Sequence, residues 1–328
     1  MAYSILRPNT PYVTITLEHA VITGGFYLSN HTLYETLIGK IHAFVLPSVL
    51  TEGTDPPFAL FVRRVVHYMH NSYVKNDSSD HGHLLPLTTM DDARDLLSLV
   101  AIAIFLNAFD ERTYMPSSDA VQDNPTIVQE CHTIFDLNAI PVVERHHLCY
   151  VRGLALDLLV WFFENFFFTH EDFGEKEEED VDAYTVIFAP FLVHIGRRII
   201  RYKRHAEEHG HTTSPSLNQV SYQIQSALFG FQGMRDIWLE SRSDEQERGH
   251  HEADSDTNSD QWDNQEDNDL DYNFSDFAIH PRKEPESRRS SARKLLEDGK
   301  TMADERFFRG LDSQFDLKKF GRNCIHSY

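Results

Sequence analysis

His205, His209 and His211 fall in the phrase RHAEEHGH, with His205 and His209 four positions apart. On a helix that spacing puts two imidazoles on one face, the beginning of a metal site. The phrase lacks the H-E-x-x-H order of a zinc protease, and no third ligand group is marked. A solvated helix end rich in His and Glu is the better reading. His146, His147 and Cys149 place two imidazoles close to a thiol. Neighbours along a helix point in different directions and do not converge. Cys149 instead reads as a small buried residue at the start of an apolar helix. Gly24-Gly25 has neither a G-K-[ST] nor a G-x-G-x-x-G context and reads as a turn. The acidic runs at 171–182 and 244–271 lack the fixed glycine and spaced carboxylates of a calcium loop. No catalytic residue, cofactor site or metal site is therefore expected.

Two basic stretches are candidates for charge-based roles. Arg197–Arg204 is suited to binding phosphate or to pairing with the acidic loop at 171–182, and compensation within the chain is the simpler account. Pro281–Lys294 (PRKEPESRRSSARK) is a basic island containing Arg288-Arg289-Ser290-Ser291. That order suits a basophilic kinase, so Ser290 and Ser291 are candidate phosphorylation sites whose modification would lower the local positive charge. The same island is a candidate nuclear-import signal. At the C-terminal end, Phe307, Phe308, Leu311, Phe315, Leu317 and Phe320 are spaced for a short amphipathic helix. Such a helix folds on a partner or docks on the chain's own core.

The chain has 328 residues and a net charge of −21, from 30 Lys and Arg against 51 Asp and Glu. That balance opposes general nucleic-acid binding, which needs a basic face, and leaves room only for a local basic patch. The three cysteines, Cys131, Cys149 and Cys324, are too sparse for a disulfide scaffold. The opening MAYSILRPNTP has no apolar region of signal-peptide length, so a reducing compartment, cytoplasm or nucleus, is expected.

The periodicities predict the elements that carry these groups. Tyr12–Leu17, Phe26–Leu28 and Ala43–Leu46 read as three short strands. Helices are expected over His31–His42, Phe58–Tyr73, Asp92–Phe109 (with an N-cap at Thr88-Thr89), Thr126–Phe135, Tyr184–Glu208 and Ser216–Leu239. Leu148–Phe168 is apolar on nearly every side and is expected to be the central core helix. Its longest uncharged run, Leu158–Phe163, falls far short of the ~18 residues of a membrane span, so no membrane partner is expected. Ser241–His280 holds thirteen Asp and Glu against Arg242 and Arg248, and disorder is expected there.

Three pieces in order resemble a fungal-type BTB/POZ-domain protein. The first, VTITL followed by FYLSNHTLYETL, carries Phe26, His31 and Leu33, with Thr32 where the family has lysine. The second carries Leu46, Pro47, Asp55, Phe58, Phe61, Tyr68 and Tyr73, without the family's closing G-x-Y. The third carries Arg152, Leu154, Asp157, Leu158 and Trp161. Between His31 and Val45 there is no room for the family's serine-bearing turn and the helix after it.

The resemblance implies an α+β, mainly helical fold with a small three-stranded sheet packed with helices. It implies a divergent BTB-like domain over 10–140, while periodicity and composition give a helical extension over 141–240 and an acidic disordered tail over 241–328 with the basic island and the short amphipathic segment. It also implies a non-enzymatic protein–protein interaction module with protein partners, self included, since the family often dimerises and some members are adaptors in cullin-type ubiquitin ligases. The competing class is an all-helical enzyme or ligand carrier. A deep polar pocket with convergent titratable groups would mark that class.

Overall fold

The computed structural model describes residues 29–47, 58–76, 84–115, 139–170, 181–211, 215–231, 233–240 and 272–283. These are mainly helical, with one two-stranded sheet.

Helix α1 (Leu33–Val45) buries Leu33, Leu37, Ile38, Ile41, Phe44 and Val45. Phe44 and Val45 stand three and four positions after Ile41, so they prolong the helix's apolar face. Ala43–Leu46 is therefore not the expected third strand: its first three residues close α1, and the Leu46 N–H donates to the His42 carbonyl at 2.8 Å. The expected strands Tyr12–Leu17 and Phe26–Leu28 lie outside the described residues, so the three-stranded sheet is not among them.

Helix α2 (Phe58–Met69) buries Val62, Val66 and Met69 and runs into a π-helical turn, His70–Val74. Helix α3 (Met90–Phe105) starts at the expected cap. The Thr89 hydroxyl accepts the Asp92 N–H at 3.2 Å, and the Asp92 carboxylate accepts the Thr88 and Thr89 N–H groups at 3.0 and 3.1 Å. Two orphan donors of the first turn are satisfied in this reciprocal way.

From Leu96 to Leu106 no residue is more than 5% exposed, because α1, α2, the next helix and a strand pack around α3. Helix α4 (Val142–Asn165) was expected at the centre, but it forms a wall: Asp157 is exposed, and Trp161 and Glu164 are half-buried. The wrapped helix is α3. Its small residues Ala93, Ala101 and Ala103 allow neighbours to approach from more than one side.

Helix α4 ends earlier than its apolar run. The Asn165 side chain donates to the Trp161 carbonyl at 2.7 Å, and Phe166 turns extended. Phe166–His170 becomes strand β1 in place of the expected last helical turn. Its antiparallel partner is strand β2 (Phe277–Pro281), with Phe168 opposite Ile279 and His170 opposite Phe277. Three consecutive phenylalanines suit a pleated, half-buried surface better than a helix face.

All of strand β2 except Pro281 lies inside the stretch expected to be disordered. Phe274, Phe277 and Ile279 are buried, Tyr272 donates to the Val186 carbonyl at 2.8 Å, and Phe274 packs on Phe191 with ring centroids 5.3 Å apart. Residues 272–283 thus carry enough local apolar area to be ordered. Residues 241–271 lie outside the described residues, as do Thr126–Phe135 and Met302–Phe320.

A second π-helical turn, Tyr184–Phe188, leads into helix α5 (Ala189–Glu208), followed by α6 (Leu217–Leu228) and a short helix α7 over 234–240. The single helix expected over Ser216–Leu239 is broken at 229–233. Gly233 takes φ +78°, a left-handed conformation open to glycine at little cost, and its carbonyl accepts the Asp236 and Ile237 N–H groups at the start of α7. One apolar core runs from Leu33 to Ile279 and crosses residue 140 without a break.

A polar joint ties three helices. The Asp95 carboxylate of α3 accepts the Tyr34 N–H at the start of α1 (2.9 Å), and the Tyr34 hydroxyl accepts from Arg198 of α5 (3.1 Å). Burial raises the Asp95 carboxyl to about 6, against the pull of the Tyr34 N–H. The folded-state value lies above the unfolded 3.8, so the fold favours the protonated acid. This contribution to stability is full below 3.8 and declines as pH rises to about 6. Asp95→Asn keeps an acceptor for Tyr34 and cannot ionise. In chemical unfolding between pH 4 and 7, the wild type should lose stability relative to Asp95→Asn across that window. A constant difference between the two would contradict the assignment.

Candidate functional site

The basic run of α5 divides by helix face. Arg198 turns inward, donating to Tyr34 and, at 3.0 and 3.1 Å, to the Tyr202 hydroxyl. Lys203 is buried, with its ammonium 3.8 Å from Glu207. Glu207 also accepts the Leu217 N–H at 2.8 Å, which ties the end of α5 to the start of α6. Arg197, Arg201 and Arg204, at spacings of four and three, form one outward stripe.

That stripe lines a half-open groove of about 230 Å3, together with Ile200, Ser221 and Gln225 of α6, and Trp238 of α7. The groove exists because α6 and α7 lie close on α5. A Cβ on Gly196 would stand 2.9 Å from Ile224 Cγ2, 3.0 Å from Leu228 Cδ1 and 3.4 Å from Trp238 Cζ3, so only glycine fits the approach as built. The break at 229–233 brings Trp238 back over this point. There Arg197 donates to the Trp238 carbonyl and lies over its indole, 5.0 Å from the ring centroid. Arg201 and Arg204 are exposed, and Tyr222 and Leu239 are exposed next to the lining residues. The described lining brings arginine, serine and glutamine side chains beside Trp238, and no carboxylate is among the described lining residues. Its chemistry is that of an anion receptor.

Comparison with known proteins returns no matching family model, no matching curated protein and no matching solved structure.

The other sequence candidates are dispersed. His205 and His209 do come together, with ring centroids 4.1 Å apart, but among the described residues no group of three His, Cys, Asp or Glu is placed to hold a metal ion. Cys149 is buried and accepts a hydrogen bond from Arg152 at 3.4 Å, while His147 turns to α2. Ser290, Ser291 and the acidic residues 171–180 lie outside the described residues. No described helix is long and apolar enough to cross a membrane.

Sequence reasoning missed a polar seam between α2 and α4. Arg63 meets His147 at 3.2 Å, His70 meets Asp157 at 3.7 Å, and Tyr73 stacks on Trp161 at 4.7 Å between centroids. Partner numbers rise together, so the two helices run parallel. Arginine can only donate, so His147 Nδ1 is the acceptor and its imidazole is neutral. Burial, then the neighbouring cation Arg63, lowers the His147 pKa; burial, then the neighbouring Lys75, lowers that of His67. Beyond the seam, a shallow concavity of about 420 Å3 opens against Tyr73, Leu84, Leu85, Pro86 and Trp161. Its described lining is apolar apart from Ser72, Asn76 and the Tyr73 hydroxyl.

Ser221, Gln225 and Trp238 were also missed as parts of a site. Their signal was present: Ser221 and Gln225 are four apart, and the glycines of FGFQG mark the break that returns Trp238. Gly196→Leu inserts a side chain where no Cβ fits, and thermal or chemical unfolding should show a loss of up to about 3 kcal/mol. Gly196→Ala should lie nearer neutral, because a helix-propensity gain of about 1 kcal/mol opposes the crowding. An unchanged unfolding midpoint for Gly196→Leu would show that α5 and α6 do not meet there.

Proposed function

We propose that the chain is a non-enzymatic protein-interaction module that docks partners at the groove between α5, α6 and α7. One observation carries this reading. The groove has the composition of a binding hot spot, with Arg197, Arg201 and Arg204 beside Trp238, and Tyr222 and Leu239, the chain neighbours of the lining residues Ser221 and Trp238, are exposed. Arginine, tryptophan and tyrosine are the residues that dominate binding energy at protein interfaces. Against an overall charge of −21, the cationic stripe is a local exception that attracts acidic groups brought close to it.

The reading agrees with the function implied by the BTB resemblance but does not depend on it. A BTB-like unit would rest on residues 10–28, outside the described part of the chain. Self-association and an adaptor role belong to the same proposal: the groove's partner is a protein, and a second copy with its acidic runs is one such protein.

A photo-crosslinking amino acid at Leu239 in the full chain tests the proposal, with a second one at exposed Leu60 on α2 as control. In native cell extract, Leu239 should give discrete protein adducts, identified by mass, that vanish in Arg201→Glu/Arg204→Glu. Adducts that are equally abundant from Leu60, or indifferent to the charge reversal, would remove the groove as the docking site.

A further inference from the structure

We propose that the groove is a receptor for a phosphorylated serine or threonine on a partner protein, an inference that rests on the reading of the groove as a protein-docking site. The size of the groove argues for a single concentrated charge. About 230 Å3 suits one side chain with a compact headgroup, whereas a run of carboxylates would spread beyond it. Three arginines at helical spacings of four and three line that small volume. A phosphomonoester matches three arginines better than a carboxylate does, because it carries close to two charges on three acceptor oxygens.

Each lining group has a part in such a site. Arg201 and Arg204 are exposed at the mouth and supply planar donor forks that match two phosphate oxygens at a time. Arg197 is oriented by its bond to the Trp238 carbonyl and by the indole beneath it. The Ser221 hydroxyl and the Gln225 amide add neutral donors from α6, and the indole of Trp238 walls off water on one side. Tyr222 and Leu239 are exposed and adjacent in the chain to the lining residues Ser221 and Trp238, and residues flanking a phosphorylated position would meet them. Pre-organisation comes from Gly196, which fixes the distance between α5 and the α6–α7 pair before any ligand arrives.

Fluorescence anisotropy with the full chain tests this. The probe is a degenerate peptide pool with a central phosphoserine and random flanks, compared with twin pools bearing serine or glutamate at the centre. The phosphoserine pool should bind at least about tenfold more tightly than either twin. Added salt should weaken it, and Arg201→Gln/Arg204→Gln should abolish the preference while leaving the circular dichroism of the folded chain unchanged, since both residues are exposed. Three results would overturn the proposal: equal binding of the glutamate pool, inorganic phosphate binding as tightly as the phosphopeptide, or no binding of any pool. The crosslinking from Leu239 separates this failure from failure of the docking site itself, since charge-dependent adducts would persist with an unphosphorylated partner.

Discussion

A helix with water on none of its sides organises this molecule. Over Leu96–Leu106, α3 is enclosed by α1, α2, α4 and β2, and every one of those elements must present an apolar face inward to cover it. Removing that much apolar surface from water is the dominant favourable term in a fold of this kind. The polar joint then selects among the ways of wrapping a featureless rod. Asp95 holds the start of α1 by the Tyr34 N–H, and Tyr34 holds α5 through Arg198. A partly buried carboxyl held at about 6 is a cost that specificity of packing offsets.

Because Arg198 pins one face of α5, the stripe about a quarter-turn round the helix is left to line the groove. Arg198 goes to the joint and Lys203 to the buried contact with Glu207, while Arg197, Arg201 and Arg204 face the groove. The site is thus a by-product of the core's geometry as well as of its own residues. Glycine at 196 brings α6 close, and glycine at 233 turns the chain so that Trp238 closes the groove. The two-stranded sheet works in the same manner at the other end of α5. Residues more than a hundred positions apart, Phe168 and Ile279, pair directly and seal the Phe162, Phe163 and Phe188 cluster.

The helices were legible wherever periodicity was long and regular, as at Phe58–Tyr73 and Tyr184–Glu208, and so was the cap at Thr89. Short apolar runs misled. Ala43–Leu46 has no period of its own and simply continues the face of α1, and Phe166–Phe168 looks helical only because α4 precedes it. Averaging charge over Ser241–His280 hid the local apolar set of Tyr272, Phe274, Phe277 and Ile279. The groove was half legible. The basic run was visible as a block, but its division by face depends on which residues α1 and α6 contact, and the return of Trp238 depends on a break marked only by glycines. The choice of α3 over α4 as the enclosed helix is a matter of tertiary contacts, which amphipathicity alone does not rank.

Hydrogen–deuterium exchange of the full chain, with and without the phosphoserine peptide pool, addresses the account most directly. The predicted result is slowed exchange in 197–204, 217–228 and 234–240, with α3 already the slowest region and unchanged. Protection falling instead on the α2–α4 seam, or spread evenly over the molecule, would contradict it.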